Sequence, residues 1–410
     1  MYAKKLSIYE FKCFHKAVLD LQYPGRKSNG SAQIANINLI LGDNGGGKSS
    51  VLRALALAVL APALMHSGFV PYRLVRRLAS GEAAAQSCLL KVIAHPDPHE
   101  RGAGVRTKME LLARLDAAPR GNLDRIHLER TPDSPIAPLL DDETSASFFV
   151  VGYGATRRVE SGDYSPSSAR RSRGLRYQRI AGLFEDLVTL RPLSSWLAPH
   201  LLSPERSNEA VALLNGILPE NIQFEGEFSK EDDQFLFEFE GITTPFNALS
   251  DGYKAFIGWV GDLLGHLVDV APEGTRLDQV SGIVLVDEID LHLHPSWQRE
   301  VVPLLSSMFP KLQFVLSSHS PLVASSVSKE NIFITGRAAD GTSTIMQSTE
   351  HVHGQSVEHI LLSSYFGLLT TRPAAFEDAA RVLFEQAAKG DVGAALKFLQ
   401  RMDSSTSQEG

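Results

Sequence analysis

GDNGGGKS, from Gly42 to Ser49, has the spacing G-x-x-x-x-G-K-[ST]. Glycines let a backbone turn so tightly that successive N–H groups converge on phosphate oxygens. An apolar run, Ile37 to Leu41, precedes the glycines, and a helical pattern starts at Ser49. The positive end of that helix's dipole adds to the same anion site. Lys48 would reach the β- and γ-phosphates of ATP, and Ser49 would place its hydroxyl on Mg²⁺. The candidate nucleotide contacts are Gly42, Asn44, Gly45, Gly46, Gly47, Lys48, Ser49 and Ser50. A bare glycine turn before a helix has no need of the Lys-Ser pair.

Far downstream, GIVLVDE places Asp287 and Glu288 at the end of an uninterrupted apolar run. Such a run predicts a strand of a parallel sheet, and ligands bind at the carboxyl edge of those sheets. Asp287 would hold Mg²⁺ directly or through water. Glu288 would polarise the attacking water as general base. Taken alone, an apolar strand ending in Asp-Glu is common; the loop upstream gives it meaning. VLSSHSP sets His319 just past another apolar strand, one helix later, where an imidazole can donate to a phosphate oxygen.

LSDGYK (Leu249 to Lys254) resembles the LSGGQ signature of ABC-type ATPases. The resemblance implies that Ser250, Asp251 and Gly252 contact the γ-phosphate of ATP held by an opposite subunit. Ser250 lies 37 residues before Asp287, which suits the family's order. It also implies that His319 senses the γ-phosphate and that Asp290 is the D-loop aspartate. Read alone, LSDG is an ordinary helix start with a serine cap. His292 and His294 stand two apart, a spacing that suits a turn against a neighbouring subunit better than a metal pair. No glutamine stands where the family's Q-loop would follow SFFVVGYG; Ala155, Thr156 and Arg157 are there instead, and Gln178 lies further on.

In order, these motifs resemble the ABC ATPase heads of the SMC/RecF/OLD group, over roughly residues 1–60 and 240–335. No heptad seam persists between Lys48 and Ser250, so a long coiled coil is not expected. No E…D-x-D pattern of the Toprim kind follows His319, so an intrinsic nuclease is not expected. YGATRR, LHLHPSWQ and HGQSVEHIL…TTRP…FEQAAKGDVGAAL look like the PtuA-type ATPases of Septu antiphage systems, some of which accompany retrons. That likeness implies self-assembly and an HNH nuclease partner of the PtuB type. A RecF-like DNA-repair or end-binding ATPase is the alternative. The ATP-binding subunit of a transporter fits less well, given the long gap from loop to signature.

The elements that must carry these residues follow from pattern. One or two strands are expected in residues 4–22 and edge strands in 80–147. Short helical pieces split by Pro192, Pro199 and Pro204 are expected in 180–218, and a helix from Ser49 stopped near Pro62. A helical hairpin is expected to break at Gly390, with Asp391 capping its second helix. The expected fold class is α/β: a P-loop ABC-ATPase head with a mainly helical inserted lobe and a C-terminal helical segment. Its parts are 1–155 and 233–345 for the head, 156–232 for the arginine-rich and helical lobe, and 346–410 for the C-terminal region. Residues 157–179 hold seven arginines and are the candidate nucleic-acid contact.

Composition agrees with a globular chain. Of 410 residues, 43% are hydrophobic and 21% charged, with net charge −7. Cys13 and Cys88 are too few for a disulfide scaffold. The stretch MYAKKLSIYEFKCF lacks the apolar core of a signal peptide, and the apolar run near Val51 to Met65 is too short to span a bilayer. A cytoplasmic protein with no membrane partner is expected.

Overall fold

Fully apolar runs make strands buried on both faces, and alternating runs make strands with one wet face. Both kinds meet in one sheet here. The computed structural model describes residues 1–26, 34–65, 67–78, 80–97, 100–101, 108–118, 121–127, 137–159, 173–198, 201–231, 234–363, 365–366, 368, 370–372 and 374–403. They fall into two compact units, Met1–Val357 and Glu358–Gly410.

In the first unit, β1 (Tyr2–Phe11) and β2 (Phe14–Asp20) pair as an antiparallel hairpin, and β3 (Ile37–Gly42) runs into the glycine loop. β4 (Ser87–His95), β5 (Met109–Asp116) and β6 (Arg125–His127) extend an antiparallel wing, as expected from their alternation. β7 (Val150–Tyr153) returns to the centre. β8 (Arg158–Val159) and β9 (Thr189–Leu190) form a small parallel pair. β10 (Ile222–Ser229), β11 (Gln234–Phe239) and β12 (Ile242–Pro245) form a separate antiparallel sheet. β13 (Gly282–Val286), β14 (Leu312–Ser317), β15 (Ile332–Arg337) and β16 (Ser343–Gln347) complete the large one. Its order is β6-β5-β4-β1-β2-β16-β15-β3-β14-β13-β7.

The half that matters for the site is parallel. β3 lies between β14 and β15, β13 lies between β14 and β7, and every one of these contacts is parallel. Val286 is level with Leu316 and with Tyr153, and Ser317 is level with Ile40. The glycine loop, Asp287, His319 and the segment after Tyr153 therefore leave the sheet at one edge, the carboxyl edge where α/β sheets bind ligands. Every residue of β13 and β14 is buried, including Gln313. The Gln313 side chain accepts from Ala3 N and donates to Ala3 O and Gln22 O, each at 2.7 Å. This buried amide joins the wing to the parallel half with all its main partners met.

Helix α1 (Lys48–Leu64) packs on β4 and β5 with leucines and small alanines buried around most of its girth. Each fully buried leucine contributes about 1.5–3 kcal/mol. The helix ends at Leu64, two residues past Pro62, as expected. A proline near the end of a helix forfeits only one backbone bond there, and the buried face of Leu64 outweighs it. The prolines of 180–218 do break the chain: its described residues form 3₁₀ turns at Ala181–Leu183 and Leu193–Ser195 and a helix at Pro204–Asn215, beside the short strand β9. No helix among the described residues is long and apolar enough to cross a membrane.

In the second unit, helices Ala374–Ala388 and Val392–Asp403 form the expected hairpin, turning at Gly390. Asp391 Oδ1 accepts from Ala394 N at 3.0 Å, and the Phe384 and Phe398 rings meet at 5.7 Å.

The charge run 157–179 contains a structural bolt. Arg176 is 1% exposed. It donates to the carbonyls of Leu139, Leu140, Asp142, Ser147 and Phe148 at 2.6–3.1 Å. Arg176→Ala strips the donors from five carbonyls and should destabilise the first unit by about 3–5 kcal/mol, read as a lower urea midpoint with unchanged slope.

Candidate nucleotide site

The loop after β3 is shaped by lack of space. At Gly42, with φ +136°, an added Cβ would lie 2.2 Å from Thr335 Oγ1 and 2.5 Å from its carbonyl. Thr335 sits beside Gly42 in the β15–β3 register, so only glycine passes. The loop then enters α1 at Lys48, leaving the first N–H groups of the helix unpaired within it.

Lys48 is 6% exposed and donates to Gly42 O at 2.7 Å and Asp43 O at 3.0 Å. Burial pulls its pKa down, while Asp287, Glu288 and Asp43 push it back up. The ammonium thus waits on loop carbonyls, which a triphosphate would replace with oxygens of full charge.

Asp287 and Glu288 follow β13 as expected. Asp287 N donates to Tyr153 O at 2.8 Å, and its Oδ1 accepts from the Ser317 hydroxyl. Ser317 Oγ accepts from Glu288 N at 2.8 Å. Glu288 has φ +51°, a left-handed conformation that is costly for a residue with a Cβ. His319 N donates to Asp290 Oδ1 at 3.3 Å, tying the turn after β13 to the one after β14.

These residues meet in one cavity of about 790 Å³. Asn44, Gly45, Gly47, Lys48, Ser49 and Ser50 line one side, and Asp287, Glu288 and His319 another. Lys12, Arg53 and Arg73 add positive charge, and Cys13 lies at the same wall, its Sγ 3.9 Å from Ser50 Oγ. The donor set fits Mg²⁺: the Ser49 hydroxyl and the Asp287 carboxylate are hard oxygens facing the place where phosphates would lie.

The signature residues lie elsewhere. Ser250 precedes helix Asp251–Val270 in extended conformation, and its side chain makes no cap bond. Ser250 and Gly252 line a second cavity of about 470 Å³, with Asn221, Tyr253, His292 and Trp297. A Cβ at Gly252 would come 2.5 Å from His292 O, so the start of this helix and the turn after β13 pack backbone against backbone. Asp251 is exposed and pairs with Lys254 at 2.9 Å. His294 Nδ1 meets Ser296 Oγ at 2.8 Å and caps the short helix Pro295–Gln298. The two cavities share no described residue.

Two family profiles match: "AAA domain" over residues 5–62, and "AAA domain, putative AbiEii toxin, Type IV TA system" over residues 126–325. Between them these two matches hold the phosphate loop, Asp287, Glu288 and His319, and over them the chain is similar to AAA-domain ATPases. It is similar to Septu protein PtuA of Bacillus mycoides (strain KBAB4), at 25% identity over 375 residues, 91% of this chain and 46% of that protein. Septu protein PtuA of Bacillus thuringiensis is 28% identical over 202 residues, 48% of this chain and 50% of that one. The Retron Vc95 probable ATPase of Vibrio cholerae serotype O1 biovar El Tor is 49% identical over 86 residues, 21% of this chain and 17% of that one. The chain thus spans half or less of the length of these curated relatives. Among solved structures, the SMC head domain from Thermotoga maritima aligns at 15% identity over 85% of this chain and 100% of that one, with TM-score 0.46.

Gln178 does not reach the nucleotide cavity; its Nε2 donates to Arg173 O at 2.7 Å. The residue that takes up the space after β7 is Arg157. It donates to Asp287 O at 2.6 Å and to Glu288 O, holding from behind the two peptides that present the carboxylates. Its only sequence signal was the YGATRR run. The arginine stretch is also poorer in free cations than its composition promised. Arg176 and Arg179 are buried, and Arg173 pairs with Glu185 at 2.8 Å. Residues 160–172, with Arg170 and Arg171, lie outside the described residues.

Arg157→Ala should leave nucleotide affinity within about threefold and cut turnover about ten- to a hundredfold, checked by equilibrium binding beside steady-state rates. The two cysteines give a second check. Burial pushes the Cys88 thiol up to about 12, so almost none is thiolate at pH 8. Ellman's reagent should therefore titrate one thiol in the native chain, Cys13, and two after denaturation, with ATP slowing the first.

Proposed function

We propose that the chain is an ATP-binding and hydrolysing switch that closes with a second copy of itself and controls an effector nuclease in antiphage defence. The observation that carries this reading is the separation of the signature cavity from the cavity of the phosphate loop. Ser250 and Gly252 line a different cavity from Lys48, which supports their serving a triphosphate held by a second copy.

In this reading the loop N–H groups and the freed Lys48 ammonium grip the phosphates. Ser49 and Asp287 would hold Mg²⁺, which would supply charge neutralisation for the phosphates. Glu288 accepts a hydrogen bond from the attacking water and takes its proton. His319 donates to a γ-oxygen, and Ser250 and the helix N-terminus behind it donate from the other copy. Until both halves meet, part of the developing charge goes without donors, so hydrolysis waits for closure. ATP binds the closed pair better than the open one, and that difference is what shifts the population. The family likeness to PtuA supports the defence role and a partner nuclease of the HNH type.

Specific ATPase activity should rise with protein concentration until dimers saturate. Glu288→Gln should trap closed dimers with ATP while cutting turnover at least a hundredfold. A specific activity that stays level down to concentrations where the chain is monomeric refutes the shared site. Co-purification with an HNH protein tests the partner.

A further inference from the structure

Behind β7, away from the nucleotide cavity, lies a small pocket of about 60 Å³ walled by Arg157, Arg173, Arg179, Arg191 and His266. Most of these cations are already engaged. Arg157 holds the carbonyls of Gly154, Asp287 and Glu288. Arg173 pairs with Glu185, and Arg191 with Asp269 at 2.6 Å. The one carboxylate in the wall, Asp262, is spent on Tyr153 Oη at 2.9 Å, Arg191 N at 2.9 Å and His266 Nε2 at 3.3 Å.

Arg179 is the exception. It is 5% exposed, and its buried Nη1 has no hydrogen-bond partner. Among the described residues no acid is paired with its guanidinium, which lies 5.5 Å from the Phe149 ring. Burial and the nearby Arg176 lower its pKa to about 10, still far above neutrality, so the charge remains. A buried guanidinium with an open N–H is an expensive arrangement unless an anion completes it. The space is about twice the roughly 30 Å³ that a water molecule takes in the liquid. That suits one tetrahedral oxyanion and is too small for a nucleotide.

We propose that this pocket is a binding site for free inorganic phosphate, held by Arg179 and bordered by the Arg157 that supports the two catalytic carboxylates. The site is separate from the nucleotide cavity, since no residue lines both. Arg157 gives occupancy a direct route to the peptides of Asp287 and Glu288.

The phosphate loop also attracts phosphate, so the test uses the full chain carrying Lys48→Ala. Calorimetric titration with inorganic phosphate should show one site, and phosphate should raise the melting temperature. Adding Arg179→Leu should weaken binding at least tenfold and abolish the thermal response. In phosphate-free buffer the same variant should melt no lower than its parent, because an uncompensated charge has been removed. If that variant fails to fold, Arg179→Lys decides: the charge stays, the fork is lost, and affinity should fall about tenfold. Absence of phosphate binding in the Lys48→Ala chain overturns the proposal, as does unchanged binding in either Arg179 variant. Tighter competition by thymidine 5′-monophosphate or a dT10 oligonucleotide than by phosphate itself also overturns it, because the source is then an ester.

Discussion

The Ser317 hydroxyl donates to the Asp287 carboxylate and accepts from the Glu288 amide. It thereby fastens the end of β13 to the end of β14 at the point where both leave the sheet. The rest of this carboxyl edge depends on that join. Ser317 O takes Ile289 N at 2.9 Å, Asp290 takes the amide of His319, and Arg157 seals the far side by holding the Asp287 and Glu288 carbonyls. Glu288 can sit in its left-handed conformation because its amide and its carbonyl are each held from outside. A parallel sheet can aim side chains at a ligand, but only such cross-links hold two adjacent strand ends to within tenths of an ångström.

The same network extends beyond the edge. Tyr153 ends β7, accepts Asp287 N through its carbonyl, and donates through its hydroxyl to Asp262 on helix Asp251–Val270. That helix begins at the signature. The carboxylates and the signature, which serve different cavities, are thus linked through a single buried tyrosine, whose hydroxyl burial and Asp262 keep protonated. Closing a second copy onto Ser250 would press on one end of this link, and the wall of the arginine pocket touches its middle.

The chemistry-bearing motifs were legible because each is contiguous: phosphate loop, Asp287-Glu288, signature and His319 each need only neighbours in sequence. The antiparallel wing was legible in the alternation of CLLKVIAH and MELLARLD. What stayed hidden acts across long distances on backbone atoms. Arg157 serves carbonyls 130 and 131 residues away, and Arg176 serves five carbonyls between Leu139 and Phe148. A run of arginines reads as a solvated, phosphate-seeking face, and no pattern of residue types announces that some of them are bolts. The separation of signature from phosphate loop, likewise, is a matter of folding and not of spacing along the chain.

β3 is flanked on both sides by strands that follow it by more than 270 residues, β14 and β15. At a ribosomal pace of roughly 5–20 residues per second, this apolar strand leaves the ribosome tens of seconds before either neighbour exists. Its edges, and the helix whose leucines it helps cover, must stay unpaired for that interval. The nascent chain therefore faces its greatest risk of aggregation midway through translation, and demand for chaperones and for slow, cool expression is written into the strand order itself.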